Sequence, residues 1–267
     1  MDKTISYRGG TLYYRDEGSG APVMLVHGFA EDGAIWDKVA AGLRSACRLL
    51  IPDLPGSGRS SFLAEGTTME SMAAALKNVL DQEGIDRCVL IGHSMGGYIT
   101  LSFSELFPER VRAFGFFHST AYADSEEKKA GRQKSIAFIG QHGAAPFIRQ
   151  STPNLFAPET QKSRPELIEN MIQRYSGFSP ESLCAYLEAM RQRPERLSVL
   201  ERFDGPILFV IGEKDQVVPL EQSLKQCHLP HVSLVHILPT SGHMGMLEDA
   251  EAGSRIIQSF LNFIGPL

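Results

Sequence analysis

Short runs of consecutive apolar residues recur along the chain, separated by segments with helical spacing. The first run, Val23–Val26, ends at His27-Gly28. Five later runs have the same character: Arg48–Ile51, Cys88–Ile91, Ala113–Phe117, Pro206–Ile211 and Val232–Leu238. Such runs are typical of strands buried on both faces of a parallel sheet. We therefore predict an α/β protein with a mostly parallel central sheet and helices on both faces.

The start of the chain and the segment after residue 66 show two other patterns. Thr4–Arg8 and Thr11–Asp16 alternate in polarity around a pair of glycines, which predicts a hairpin. A clear helical pattern follows Thr67, and Thr67 and Glu70 have the spacing of a capping box. We therefore expect Thr67 to cap the start of that helix.

The region from Tyr122 to Arg202 breaks this alternation. It has no buried-strand run, and prolines interrupt its helical patterns. About 80 residues exceed what one crossover between parallel strands needs, although a long set of crossover helices is an alternative. We predict a catalytic core formed by residues 1–121 and 203–267, with residues 122–202 inserted as a helical cap.

Composition and charge limit the classes of partner. Of 267 residues, 26 are basic and 31 acidic, giving a formal charge of −5, and 43% are hydrophobic. This is ordinary for a soluble globular protein. The basic residues are scattered, which argues against a nucleic-acid binder. Within 122–202 there are 12 basic and 10 acidic residues, so this region is net positive while the remainder is net negative.

The cysteines and the first residues bear on location. The four cysteines are far apart and show no C-x-x-C spacing, which favours free thiols in a reducing compartment. The segment MDKTISYRGG lacks the apolar stretch of a signal peptide. The sequence also contains no run of about 18 apolar residues, which a membrane-spanning helix would need. We therefore expect a cytoplasmic protein. The oligomeric state is not predicted.

The segment CVLIGHSMGG carries the clearest chemical motif. The strand Cys88–Ile91 runs into a G-x-S-x-G sequence centred on Ser94, and a helical pattern follows. This arrangement is the nucleophile elbow, in which a serine on a strained turn projects above the sheet edge. Side chains at Gly92 and Gly96 would collide with the neighbouring strand and helix. The Met95 amide, at the helix start, would point towards an oxyanion.

In this context the sequence resembles the α/β-hydrolase family along nearly its whole length. The resemblance implies a triad in the order serine, acid, histidine. The family's base follows the last strand, which implies His243 in TSGHM. Its acid loop is similar to the GEKD segment, which implies Asp215, with Glu213 as the nearby rival. His228 and His231 have H-x-x-H spacing, but Pro230 between them disfavours a metal site.

Two loops near the start of the sheet also resemble family segments. His27-Gly28-Phe29 is similar to the family's H-G-x segment, which implies the Phe29 amide as the second oxyanion donor and a loop-shaping role for His27. Asp53–Ser60 contains closely spaced glycines but no P-loop lysine, and no helix starts directly after it. We interpret it as a structural turn held by Asp53.

Substrate contacts are expected mainly from the predicted cap. Trp36 and His118 are further candidates, although Trp36 fits packing on the sheet equally well. Aromatic residues of the cap that would line an apolar pocket, or belong to the core, are Phe138, Phe147, Phe156, Tyr175, Phe178 and Tyr186. The positive balance of this region weakly favours an anionic substrate.

These features predict a serine hydrolase that cleaves a small-molecule ester, thioester or lactone through an acyl-enzyme on Ser94, without a cofactor or metal. The elbow is similar to those of carboxylesterases, enol-lactone hydrolases, C–C bond hydrolases and cofactor-free haloperoxidases. Two alternatives stay open: a C–C bond hydrolase of aromatic ring-cleavage products using the same triad, and a slow-turnover ligand sensor. A histidine base predicts activity that falls below about pH 6–7.

Overall fold

The structure, a computed structural model, describes residues 1–62 and 66–265. Eight strands form one sheet in the order β1-β2-β4-β3-β5-β6-β7-β8. The strands are β1 (Asp2–Tyr7), β2 (Gly10–Gly18), β3 (Pro22–Val26), β4 (Arg48–Pro52), β5 (Cys88–His93), β6 (Val111–Phe117), β7 (Ile207–Gly212) and β8 (Ser233–Leu238). From β4 to β8 all neighbours are parallel, as predicted.

The first two strands form the predicted hairpin at one edge of the sheet. Tyr7 pairs with Gly10, and the two residues between them, Arg8 and Gly9, have φ values of 46° and 80°. Positive φ at both turn positions matches the twist of the flanking strands. The second strand, β2, then pairs antiparallel with β4 and joins the hairpin to the parallel part of the sheet.

Helices cover the sheet on both faces. The pair α1 and α12 pack together, as do α2 and α3. The helices are α1 (Asp37–Leu43), α2 (Met69–Gln82), α3 (Met95–Leu106), α4 (Glu126–His142), α5 (Ala144–Ser151), α6 (Pro158–Ser163), α7 (Pro165–Tyr175), α8 (Pro180–Gln192), α9 (Leu197–Arg202), α10 (Leu220–Leu224), α11 (Gly245–Glu248) and α12 (Ala250–Ile264). No helix of the described residues is long and apolar enough to cross a membrane.

The start of α2 differs by one residue from the predicted capping box. Thr68, not Thr67, is the N-cap: its Oγ1 accepts from the Ser71 amide at 3.1 Å, and the Thr68 amide donates to Ser71 Oγ at 2.9 Å. The short hydroxyl of Ser71 fills the role that the prediction gave to a glutamate. Glu70 instead forms an ion pair with Arg196.

The last strand is less buried than its apolar sequence suggests. In β8, Val235 is 40% exposed and Ile237 is 43% exposed. The interpretation of this run as a strand buried on both faces was therefore wrong. The strand lies at the edge of the sheet, where β7 is its neighbour on one side only.

Residues 122–202, between β6 and β7, fold into helices α4 to α9 without a strand. This helical segment is fastened to the remainder by Arg196, whose amide donates to the Ala121 carbonyl at 2.9 Å and whose Nε lies 2.8 Å from Glu105 Oε2. The helical character of the region agrees with the predicted pattern, and its assignment as a separate cap stays a prediction.

Candidate active site

Ser94 lies in the sharp turn between β5 and α3. Its φ of 48° and ψ of −115° are strained for a residue with a side chain. A Cβ on Gly92 would collide with the Gly96 carbonyl, and a Cβ on Gly96 would collide with the Val26 carbonyl. The two glycines of the motif therefore permit the strand, turn and helix to pack this closely, for the reason predicted from the sequence.

His243 and Asp215 meet at the ends of β8 and β7. His243 Nδ1 lies 2.7 Å from Asp215 Oδ2. The other carboxylate oxygen, Oδ1, accepts from the amides of Val217 at 2.8 Å and Val218 at 2.9 Å. Burial alone would raise the pKa of Asp215, but the adjoining His243 imidazole, His118 and the Val218 amide hold it below its ordinary value. An ionised carboxylate accepts from Nδ1, which leaves His243 Nε2 available as a base.

The rival acid points elsewhere. Glu213 is exposed, and its Oε1 lies 2.7 Å from Lys214 Nζ. Glu213 therefore contacts solvent and a lysine, whereas Asp215 is buried against His243.

The two predicted oxyanion donors belong to different loops. Phe29 follows β3, and Met95 is the first residue of α3. Within the described residues, neither backbone amide has a hydrogen-bond acceptor. His27 holds the first loop, because its Nε2 accepts from the Leu54 amide at 3.0 Å and its Nδ1 donates to the Gly28 carbonyl at 2.8 Å. This is the loop-shaping arrangement that the resemblance implied.

A cavity of about 450 Å³ lies between the sheet and the helical segment. Ser94, His243 and Phe29 line it on the side of the sheet, and α4, α5, α7 and α8 supply most of the remaining wall. The cavity therefore brings the predicted nucleophile and base to one surface. Its wall is largely apolar, which is typical of a small-molecule site.

The model of the alpha/beta hydrolase family matches residues 23–254 of this chain. The chain belongs to that family.

Three proteins illustrate the range of proteins to which this chain is similar. A 2-hydroxy-6-oxo-2,4-heptadienoate hydrolase of Pseudomonas putida is 31% identical over 92% of this chain and 91% of its own. A thermophilic esterase from Thermogutta terrifontis has a TM-score of 0.93 at 28% identity, with 99% of both chains covered. The dihydrolipoyllysine-residue acetyltransferase component of the acetoin cleaving system of Pseudomonas putida is 29% identical, and this chain spans 64% of its length.

Two predicted substrate contacts of this α/β hydrolase lie beneath the cavity and do not line it. Trp36 is fully buried and packs edge-on against Phe117, with ring centroids 5.3 Å apart. His118 is also buried, and its Nδ1 accepts from the Gly212 amide at 3.0 Å. Their packing against the sheet explains why neither side chain reaches the cavity surface.

Burial also fixes the state of His118. It lowers the pKa of this imidazole to about 3, outweighing the opposite effect of Asp215, whose Oδ2 is 3.6 Å from Nδ1. The neutral ring holds the end of β7, directly before the loop that carries Asp215. His118 therefore supports the loop that carries Asp215.

Of the predicted aromatic set, two members line the cavity, Phe147 and Tyr175. Tyr186 is instead buried beside the Asp53–Ser60 turn, where its hydroxyl donates to the Pro55 carbonyl at 2.5 Å. That turn is held by Asp53, which accepts from the amides of Gly33 and Arg59, both at 2.8 Å. The turn therefore has the structural arrangement predicted for it.

A buried carboxylate beside the site was not predicted from the sequence. Glu31 is 1% exposed, and its Oε2 accepts from the Gly28 amide at 2.7 Å and lies 3.0 Å from His93 Nδ1. Burial alone would raise the pKa of Glu31, but His93 and the amide hold it below its ordinary value. The only sequence signal was an acidic residue three positions after the H-G pair, and acidic residues in loops are usually solvated.

Proposed function

We propose that this α/β hydrolase cleaves carboxylic esters, thioesters or lactones of small molecules through an acyl-enzyme on Ser94. The observation that carries the proposal is the 2.7 Å contact between His243 Nδ1 and Asp215 Oδ2, with His243 on the same cavity wall as the strained Ser94. A serine hydroxyl needs a base, and the base needs an orienting acid.

In the proposed reaction, Ser94 Oγ attacks the carbonyl carbon and His243 Nε2 takes the hydroxyl proton. The amides of Phe29 and Met95 bind the oxyanion of the tetrahedral intermediate, which collapses as His243 returns the proton to the leaving alkoxide or thiolate. A water molecule then attacks the acyl-enzyme by the same sequence of proton transfers and releases the acid. Asp215 keeps its negative charge throughout and stabilises the protonated imidazole.

Active-site labelling tests the nucleophile. A fluorophosphonate should modify wild-type protein at Ser94, identified by peptide mass spectrometry, and Ser94→Ala should abolish both labelling and hydrolysis of short p-nitrophenyl esters. Ser104→Ala is the matched control, since Ser104 lies on α3 with its hydroxyl donated to the Thr100 carbonyl at 2.9 Å. Hydrolysis that survives in Ser94→Ala would exclude Ser94 as the nucleophile.

A C–C bond hydrolase is the second candidate, favoured by the similarity to the 2-hydroxy-6-oxo-2,4-heptadienoate hydrolase. It would use the same three residues on a vinylogous diketone. A panel of ring-cleavage diketones assayed beside simple esters distinguishes the two functions. Higher kcat/KM on a diketone than on every ester would favour this candidate, and inactivity on all diketones would remove it. Rapid multiple turnover on any substrate would exclude a ligand sensor.

A further inference from the structure

Two cationic side chains of α4 face the cavity that holds Ser94 and His243. Lys128 and Arg132 both line it. They are four residues apart on one helix, so they occupy the same helical face in successive turns. Lys128 Nζ donates to the Val217 carbonyl at 3.2 Å, in the loop that also carries Asp215. Lys128, an exposed side chain, therefore lies beside the loop that carries the proposed acid.

Arg132 belongs to a partly buried cluster of two arginines and one aspartate. Asp124 accepts from Arg132 Nη2 at 3.3 Å, and the same Oδ1 lies 2.9 Å from Arg193 Nη1. The Asp124 side chain is 1% exposed and that of Arg193 4%. Since arginine stays protonated in proteins, two guanidinium groups share one carboxylate. Arg193 also donates to the carbonyls of Met190 at 2.7 Å and Tyr122 at 3.1 Å, whereas the Arg132 side chain is 20% exposed and lines the cavity. The positive charge that the carboxylate does not balance is therefore open to the cavity, where an anionic group of a ligand would meet it.

The cavity wall offers little negative charge in return. Among the described residues that line it, Glu31 is the single acidic side chain. Its carboxylate is already held by the Gly28 amide and His93. The rest of the wall is apolar or neutral apart from the two cations and His243. The arrangement suits a ligand with an apolar body and one anionic group.

We infer that Lys128 and Arg132 form an anion subsite, and that the preferred substrate is an ester bearing a free carboxylate. This inference rests on the proposed ester hydrolysis. Substrate specificity would then depend on α4, whereas the proposed catalytic residues lie in the loops at the ends of the strands. The carboxylate belongs to the acyl part or to the alcohol part of the ester, and matched substrates separate these two cases.

The test compares charged and neutral esters of equal length. Mono-p-nitrophenyl glutarate is paired with p-nitrophenyl pentanoate for the acyl side, and 4-acetoxybenzoate with 4-methylphenyl acetate for the alcohol side. The readout is the ratio of kcat/KM within each pair. A charge-assisted hydrogen bond contributes about 1.5–3 kcal/mol, so wild type should favour the charged ester about 10- to 100-fold in one pair.

Variants then locate the subsite. Lys128→Met and Arg132→Met should each reduce that ratio at least about fivefold, and Arg132→Lys, which keeps the charge, should retain most of it. Lys129→Met is the matched control, because Lys129 lies outside the cavity lining and pairs with Glu126 on the same helix. Its ratio should equal that of wild type.

The outcomes separate the two proposals. If neutral esters are hydrolysed and neither pair shows a preference for charge, the subsite is wrong while the proposed function stands. The same conclusion follows if Lys129→Met changes the ratio as much as Lys128→Met. If no ester of either kind is hydrolysed, the proposed function itself fails, and the subsite fails with it.

Discussion

The imidazole Nε2 of His93 lies 3.0 Å from the carbonyl oxygen of His243. The residue directly before Ser94 thus supports the backbone of the proposed base. The other ring nitrogen of His93, Nδ1, lies 3.0 Å from Glu31 Oε2. Because Glu31 also holds the Gly28 amide, one buried pair connects the loops of Phe29, Ser94 and His243.

We expect Glu31→Gln to lower kcat about 10- to 100-fold with little change in KM. The amide side chain keeps the size of the glutamate but loses the charge that both donors bind, so the Phe29 loop and the His243 backbone would lose their alignment. Loss of a whole oxyanion donor costs about 10²–10³ in rate, and misalignment should cost less. Steady-state kinetics on a neutral p-nitrophenyl ester measures this effect.

Two measurements show whether Glu31 acts by positioning. Glu159→Gln, a change of the same type at an exposed position, should leave kcat unaltered. A urea unfolding curve of Glu31→Gln, recorded at the assay temperature, should show that the variant is folded in the absence of urea. If the variant is folded and kcat stays within twofold of wild type, the His93–Glu31 pair does not position the site.

The acid of the triad is tested by two neighbouring changes. Asp215→Asn should lower kcat about 10³- to 10⁴-fold, because an asparagine no longer holds His243 in the tautomer with a free Nε2. Glu213→Gln should have the activity of wild type, since Glu213 is exposed and paired with Lys214. A loss of activity in Glu213→Gln that equals the loss in Asp215→Asn would reverse the assignment.

The elbow was predictable because its motif is a short, continuous segment between a strand and a helix. Gly92 is required by the Gly96 carbonyl four residues later, and Gly96 by the Val26 carbonyl of the neighbouring strand β3. The parallel strands were likewise predicted from short apolar runs, whereas their order in the sheet was not. The pairing of Asp215 with His243 was predicted from the family resemblance. The two residues are 28 positions apart, and no local sequence pattern predicts a contact between them.

Other features depend on contacts distant in the chain. Glu31 and His93 are 62 residues apart, and only their burial in one place gives them a role. Whether an apolar strand lies in the centre of the sheet or at its edge depends on which other strands pair with it. Val235 was therefore predicted to be buried, although it is exposed in the edge strand β8. Trp36 was ambiguous because a large aromatic side chain fits a pocket wall or a packed core equally well.

The hairpin edge of the sheet should lose stability in acid. Arg48 and Lys3 hydrogen-bond Asp16 and lower its pKa to about 2. Between about pH 4 and pH 2 the unfolded chain binds a proton here that the folded protein excludes, so the free energy of unfolding falls as pH falls. Asp16→Asn should be less stable than wild type at pH 6 and show a smaller loss across this window.

Urea unfolding at pH 6, 4 and 3 measures that difference. Asp204→Asn removes an exposed carboxylate and should follow the wild-type dependence on pH. If Asp16→Asn and wild type lose stability in parallel between pH 4 and pH 3, the ion pairs around Asp16 do not contribute to the acid sensitivity of the fold.

His118 should make stability depend on pH at less acidic values. The folded protein keeps this imidazole neutral down to a pKa of about 3, whereas the unfolded chain protonates it below about pH 6.5. Between pH 6.5 and 4.5 the unfolded state therefore binds more protons, and the free energy of unfolding declines as pH falls, by at most about 1.4 kcal/mol per pH unit. This contribution is fully present above pH 6.5.

His118→Asn removes the titrating ring and is suited to the backbone, because His118 has a φ of 53° and asparagine tolerates that region. The variant should be less stable than wild type at pH 7, where the hydrogen bond from the Gly212 amide is weakened, yet its stability should change less between pH 6.5 and 4.5. His228→Asn, at an exposed position, should keep the wild-type slope. Equal slopes for His118→Asn and wild type would mean that the folded protein protonates His118 as readily as the unfolded chain, which its burial beneath the acid loop opposes.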